Sequence, residues 1–285
     1  MTLKMVFWDV QHGDAAYLKT PGNTHIVQDL GTGKYEEDSE DFSPLLHLKN
    51  KYGVDRLDHA ILTHPHTDHI ADIKNLMDVK PRVLTAPSHL SRDAIMDDIL
   101  ERDKDIVKEY LEIVDRYSSS VSYGDSPRNP DNNGGVDIKT FTPEEPSESN
   151  LNNHSVVTVA SYAGSTILMS GDNESASWNE LLDQTSFRKA IRGTDILLAS
   201  HHGRESGFHS ELFDYITPRL TIISDGRFGD TSATDRYSSV SEGWTVHKRS
   251  GGKEKRNCVT TRSDGVITVK FGYNGDDRFI HVKID

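Results

Sequence analysis

Cysteine is almost missing from this chain, with Cys258 standing alone in 285 residues. A disulfide framework, a cysteine-rich zinc module and an iron–sulfur cluster are thereby excluded. Such usage fits a reducing compartment, and we expect a cytoplasmic location. Long apolar runs are missing too. Stretches such as Asp195-Ile-Leu-Leu-Ala fall far short of the ~20 residues of a membrane helix. The opening Met1-Thr-Leu-Lys-Met-Val-Phe-Trp passes straight into a strand-like pattern and shows no export signal. Cations are the minority charge, 32 Lys+Arg against 45 Asp+Glu, which gives −13. That sign repels polyanions at long range and argues against indiscriminate nucleic-acid or membrane binding, although a cleft can carry its own sign. No linker long enough to separate a pair of domains stands out, and we expect one domain over residues 1–285.

What the chain does have is short strand patterns alternating with helices. Residues 6–10, 15–19 and 24–30 read as strands, 45–52 as a helix stopped by Gly53, and 59–63 as a buried strand. Residues 91–117 carry amphipathic spacing for a long helix or a helix pair, and 117–135 read as an exposed loop. Strands are expected at 136–141, 155–162, 165–169, 195–199, 219–223, 257–261, 266–271 and 279–283. Helices are expected near 175–191 and 209–215. Strand runs followed by helices, twice over, suggest packed sheets with helices outside, an α/β (α+β) arrangement.

Fourteen histidines are present, and their placement carries the chemistry. Thr63-His-Pro-His-Thr-Asp-His69 packs three imidazoles and a carboxylate into six residues, and these are natural ligands for divalent zinc, manganese or iron. His64 and His66, two apart at a strand end, can point the same way, while Asp68 and His69 on the following turn can face a second ion. Two ions about 3.5–4 Å apart can share a hydroxide and clamp an oxyanion. Further candidates each lie just past or before a strand: His154, Asp172 after Ser170-Gly171, and the pair His201-His202 before Gly203. That shared placement would gather them at one edge of a sheet sandwich.

The 64–69 string, with Ser170-Gly-Asp172 and Ser200-His-His-Gly203, resembles the metallo-beta-lactamase superfamily. More narrowly it is similar to the soluble region of the ComEC-type branch, whose opening h-x-x-G-D-A segment is matched by Asp9-Val-Gln-His-Gly-Asp14-Ala-Ala and whose N-x-x-S by Asn152–Ser155. The resemblance covers roughly residues 4–225. It implies a four-layer αββα sandwich holding two divalent metal ions, zinc first and manganese second. On that resemblance His64, His66 and His154 would hold one ion and Asp68, His69 and His202 the other, with Asp172 between them. His201 would face the substrate's phosphoryl group (the two neighbours being exchangeable), Asp68 and His201 would serve catalysis, and Asp14 would support a ligand from behind. The chain departs from its relatives in lacking a membrane region, in lacking a His-Pro after strand 219–223, and in having His66 where many have Asp.

A bridging hydroxide serves phosphodiesters, esters, lactones and amides alike. Arg227, Lys248 and Arg249 belong to a basic stretch in an acidic chain, with five Lys/Arg against one Glu over 247–256; a flexible loop of that kind near a metal cleft suits phosphate oxygens, and a solvated hairpin tip is the other reading. The expectation is therefore a phosphodiesterase or nuclease acting on a nucleic acid or nucleotide. A hydrolase of ester, lactone or amide bonds, an iron redox enzyme and a non-catalytic nucleotide-binding metal module are the alternatives. Cys258, Trp8 and Trp178 read as packing residues, and no serine triad is evident.

Overall fold

Alternation decides the first strand. Leu3, Met5 and Phe7 point into one core and Val6 and Trp8 into another, so a single segment serves two layers. The computed structural model describes residues 1–34, 41–146, 149–226 and 232–285. In chain order the strands are β1 (Thr2–Phe7), β2 (Ala16–Lys19), β3 (His25–Gln28), β4 (His59–Ile61), β5 (Val83–Thr85), β6 (Asp137–Phe141), β7 (Val157–Tyr162) and β8 (Ser165–Met169). They continue as β9 (Thr194–Leu198), β10 (Leu220–Ile223), β11 (Trp244–Lys248), β12 (Lys253–Arg256), β13 (Cys258–Thr260), β14 (Ile267–Asn274) and β15 (Asp277–Ile284).

Two sheets result. One has the order β12-β11-β15-β14-β1-β2-β3-β4-β5 and the other β13-β10-β9-β8-β7-β6. Between them lies an apolar core of residues such as Met5, Phe7, Ile167, Ile196 and Ile222. Outside the first sheet, the helices Pro44–Tyr52 and Lys104–Asp115 pack Leu45, Leu48, Val107 and Tyr110 onto Val6, Val27 and Ala60. Outside the second, Ser175–Asp183 and Thr185–Ile191 pack Trp178, Leu181 and Phe187 onto Val159, Leu168 and Leu197. The layers therefore run helix, sheet, sheet, helix, the αββα sandwich. β9 is buried along its whole length, as expected of a parallel strand covered on both faces.

Of the two readings of 91–117 the helix pair holds: Arg92–Asp98 ends where Ile99 turns extended (φ −93°, ψ 136°), and Lys104–Asp115 restarts after a 3-10 turn. Two other local readings are corrected. The expected helix near 209–215 is a 3-10 turn, Ser210–Asp214. Segment 117–135 is not wholly exposed, since Asn133 is buried and its side chain accepts from Val136 N at 2.8 Å. Of the two readings of 247–256 the hairpin holds, formed by β11 and β12. Among the described residues no helix is long and apolar enough to cross a membrane.

Candidate metal centre

Parallel pairing brings the carboxyl ends of β3 and β4 together in one sheet and those of β8, β9, β10 and β13 together in the other. The segments leaving those ends hold Asp29, His64–His69, Asp172, His202 and Ser224, and the β1–β2 turn adds His12 and Asp14. Close backbone approach fixes their register. A Cβ on Gly13 or Gly31 would lie 2.5 or 2.7 Å from the Asp68 carbonyl oxygen, so both positions require glycine. Gly171, at φ +58°, sits where a Cβ would meet those of Ser155 and Thr63 at 2.8 and 3.0 Å. Of six non-glycine residues with left-handed backbone among those described, Gln11, Asp29, His201 and His202 lie at this edge. Strain of that kind costs about 1–3 kcal/mol per residue and gathers at functional sites.

Three imidazoles are turned the same way by their surroundings. His69 Nδ1 donates to Asp29 Oδ2 at 2.9 Å, and the same carboxylate accepts from Thr63 N and Thr63 Oγ1. His202 Nδ1 donates to the Ser224 carbonyl at 3.1 Å. Because the Thr63 hydroxyl spends its proton on Asp29, it accepts from His64 Nδ1 at 3.1 Å. Each Nε2 lone pair is left to face the centre. There His69 Nε2 and His202 Nε2 lie 3.3 Å apart, and Asp172 stands 3.2 Å from His69, 3.4 Å from His202 and 3.9 Å from His64. Asp68 Oδ2 is 3.2 Å from His202 Nε2 and 3.7 Å from His12 Nε2.

Three overlapping triads with convergent ligand atoms follow: His64, His69 and Asp172; Asp14, His69 and His202; and His12, Asp68 and His202. The charge balance points to cations. Burial would lower His69 and His202, but Asp172 and the neighbouring carboxylates outweigh it and push both well up. Burial would raise Asp68 and Asp172, but His69 and His202 outweigh it and hold both below the usual carboxylate range. His64 is pushed well down by burial, then by His69 and His66. Asp14 is raised to about 7 by burial. Asp172 Oδ1 is buried with no hydrogen bond of good geometry. Convergent imidazole Nε2 atoms around Asp68 and Asp172, with Asp172 Oδ1 left without a hydrogen bond of good geometry, suit divalent ions with borderline-soft preference, and the residues fit the expected group.

Residues 13–203 match the sequence profile of the metallo-beta-lactamase superfamily. The chain belongs to this superfamily. ComE operon protein 3 of Bacillus subtilis (strain 168) is 24% identical over 233 residues, which covers 77% of this chain and 28% of that protein. The chain thus spans less than a third of that relative's length. Among solved structures, the metallo-beta-lactamase fold protein YhfI from Bacillus subtilis is similar at 14% identity and a TM-score of 0.42, over 77% of this chain and 85% of that one. A diphosphatase from the PhnP family is similar at 9% identity and a TM-score of 0.43, over 96% of this chain and 98% of that one.

Of the residues singled out from the sequence, His64, Asp68, His69, Asp172 and His202 come together, and Asp14, buried, joins His69 and His202 in one triad. His66 Nδ1 lies 2.9 Å from His64 Nε2 at the rim. His154 is placed against His89, Nδ1 to Nε2 at 2.6 Å with rings stacked, and in none of the three triads. His201 lies outside the triads, 3.9 Å from Asp172 and bonded towards Glu174 and Ser206. Lys248 and Arg249 are not brought in: they pair with Glu254 and Asp285. Strand β11, which Lys248 ends and Arg249 follows, stands three places from β1 along the sheet, roughly 14 Å at the usual strand spacing. Arg227 lies outside the described residues.

Sequence reasoning missed His12, Asp29 and Arg204. Asp29 had a readable signal, a carboxylate directly after a strand and two residues before Gly31. Arg204 had none. Its guanidinium reaches His12 Nε2 at 3.0 Å and His201 Nε2 at 3.3 Å only because the β1 and β9 ends meet.

Proposed function

We propose that the protein is a metal-dependent phosphodiester hydrolase, a nuclease or nucleotide phosphodiesterase, built as one domain over residues 1–285. The observation that carries the reading is Arg204, a guanidinium at the mouth of the histidine cluster that is held between two imidazoles, with no carboxylate partner among the described residues. A planar cation beside a metal centre suits the oxygens of a phosphate group. It takes the role first expected of Lys248 and Arg249.

His64, His69 and His202, with Asp68 and Asp172, would hold two divalent ions, zinc or manganese, and Asp172 would stand between them. His66 and His154 complete the expected set, and His154 joins it only by turning from His89. Such ions supply Lewis acidity and make water a nucleophile near neutral pH. The chain's own residues do the positioning. Asp29 and the Ser224 carbonyl fix the tautomers of His69 and His202. Arg204 and His201 bind the phosphoryl oxygens, and a cleft of about 480 Å3 lined by His12, His66, Asp68 and Arg102 opens beside the cluster.

The test is hydrolysis of bis-p-nitrophenyl phosphate by Asp68→Ala and Asp172→Ala variants whose circular dichroism matches the parent. Loss of turnover in both is expected, and retained turnover in both would overturn the reading. Lactone, thioester and β-lactam substrates in the same panel separate it from carbon-centred hydrolysis. Metal bound without turnover of any substrate would mark a binding module.

A further inference from the structure

The outer surface of the nine-stranded sheet carries a second feature, away from the histidine cluster. A groove of about 410 Å3 runs between the helix Pro44–Tyr52 and strands β1, β14 and β15. Strand register sets its charge. Lys4 lies opposite Lys19 on β2 and opposite Lys270 on β14, and Lys270 lies opposite His281 on β15. Lys283 on β15 lies opposite His247 on β11, which lies opposite Lys253 on β12. The intervening row, Met5, Val269, Val282 and Val246, points into the core between the sheets, so the lysine row faces out.

Like charges directly opposite one another destabilise a sheet. Among the described residues no carboxylate relieves them. Lys4, Lys19, Lys253, Lys270 and Lys283 have no ion pair among the described residues, and the one carboxylate lining the groove, Asp285, is tied to Arg249. Burial, then Lys270 and Lys19, push Lys4 down, and His281 is pushed down by burial, then by His247 and Lys270. A chain of net charge −13 thus concentrates on one surface cations that are unpaired among the described residues, at a cost to its own stability.

We propose that this face holds the sugar–phosphate backbone of a single-stranded nucleic acid. Lysines on flexible stems serve as mobile point charges for a repeating anion, with no fixed geometry demanded. From β2 to β12 the row crosses six adjacent strands, roughly 24 Å at the usual spacing, which suits a polymer and not one phosphate. Tyr52, 58% exposed at the rim beside Lys4, offers a ring on which an unpaired base can stack. The choice of nucleic acid among polyanions rests on the phosphodiester reading above. The binding itself does not.

The experiment is fluorescence anisotropy with a labelled, phosphorothioate-linked oligothymidine of about 12 nucleotides over a salt series. The metal-loaded protein is compared with a Lys4→Glu, Lys270→Glu, Lys283→Glu triple variant. The variant should bind at least about 10-fold more weakly, with a salt slope shallower by about 2, given roughly 0.7 per phosphate contact on a single strand. Its turnover of bis-p-nitrophenyl phosphate should match the parent's. Affinity and slope within about twofold of the parent would overturn the proposal, as would equal competition by poly-L-glutamate. A parent that binds the oligonucleotide through these lysines yet hydrolyses no phosphodiester would refute the enzymatic reading alone. Should the triple variant misfold, Lys270→Gln with Lys283→Gln gives the same readout at smaller amplitude.

Discussion

Asp29 shows how much one residue outside the triads controls. It accepts three hydrogen bonds, one of them from His69 Nδ1, and so decides which nitrogen of that imidazole faces the centre. Asp29→Asn keeps the shape but can present an N–H to Nδ1 and permit the other tautomer. The variant should stay folded and lose about 10–100-fold in metal affinity, measured by titration against a competing chelator. Arg204 makes the opposite case. Arg204→Ala should leave metal content unchanged, since it belongs to no triad, yet lower kcat/KM for a phosphodiester by about 10–100-fold. That matches about 1.5–3 kcal/mol for a charge-assisted hydrogen bond. Metal content by mass spectrometry and steady-state kinetics separate the two. Their partners are distant along the chain, His69 40 positions from Asp29 and His12 192 from Arg204, so Arg204 left no signal in the sequence and Asp29 only its place directly after a strand. The 64–69 string was legible because its chemistry is contiguous.

At the scale of elements, strands whose two faces are both covered were easy to place, and the charged edge was not. Lys253-Glu-Lys-Arg256 shows no apolar alternation because β12 is the outermost strand, where charge discourages pairing with another chain. The β11–β12 hairpin therefore cannot be told from a flexible loop in the sequence. β4 carries a less visible feature. His59 is fully buried, and its Nε2 bonds Thr85 Oγ1 on β5 at 2.8 Å while Nδ1 has no partner. Burial, helped by Arg128, lowers its pKa from 6.5 to about 3. In the unfolded chain His59 takes up a proton below about 6.5, whereas the folded chain resists until about 3. Stability is therefore full above 6.5 and falls as pH drops towards 3, by about 1.4 kcal/mol per unit from this one group. Denaturant unfolding at pH 7, 6 and 5 should show that decline, and His59→Gln should flatten it by about the same slope. An unchanged slope would exclude His59 as its source.

For the whole molecule, the two sheets meet the centre from opposite sides, so anything bound there ties them together. His64, Asp68 and His69 leave the first sheet, and Asp172 and His202 leave the second, which also gives the site its strained backbones. Ions bound only by the folded chain stabilise it by mass action, about 2.7 kcal/mol for each ion present at 100 times its Kd. In a chain of 285 residues a kilocalorie moves Tm by roughly 2 °C, so chelation should lower Tm by roughly 5 °C per ion lost. Differential scanning calorimetry with and without chelator, alongside metal analysis of both samples, measures the shift. Asp172→Asn separates this effect from general chelator chemistry. With the central carboxylate gone, its Tm should begin near that of the chelated parent and respond little to further chelation. Metal fully removed with Tm unmoved would mean that the ions do not join the sheets, and that the interleaved core of Met5, Phe7, Ile167 and Ile222 holds the sandwich without them.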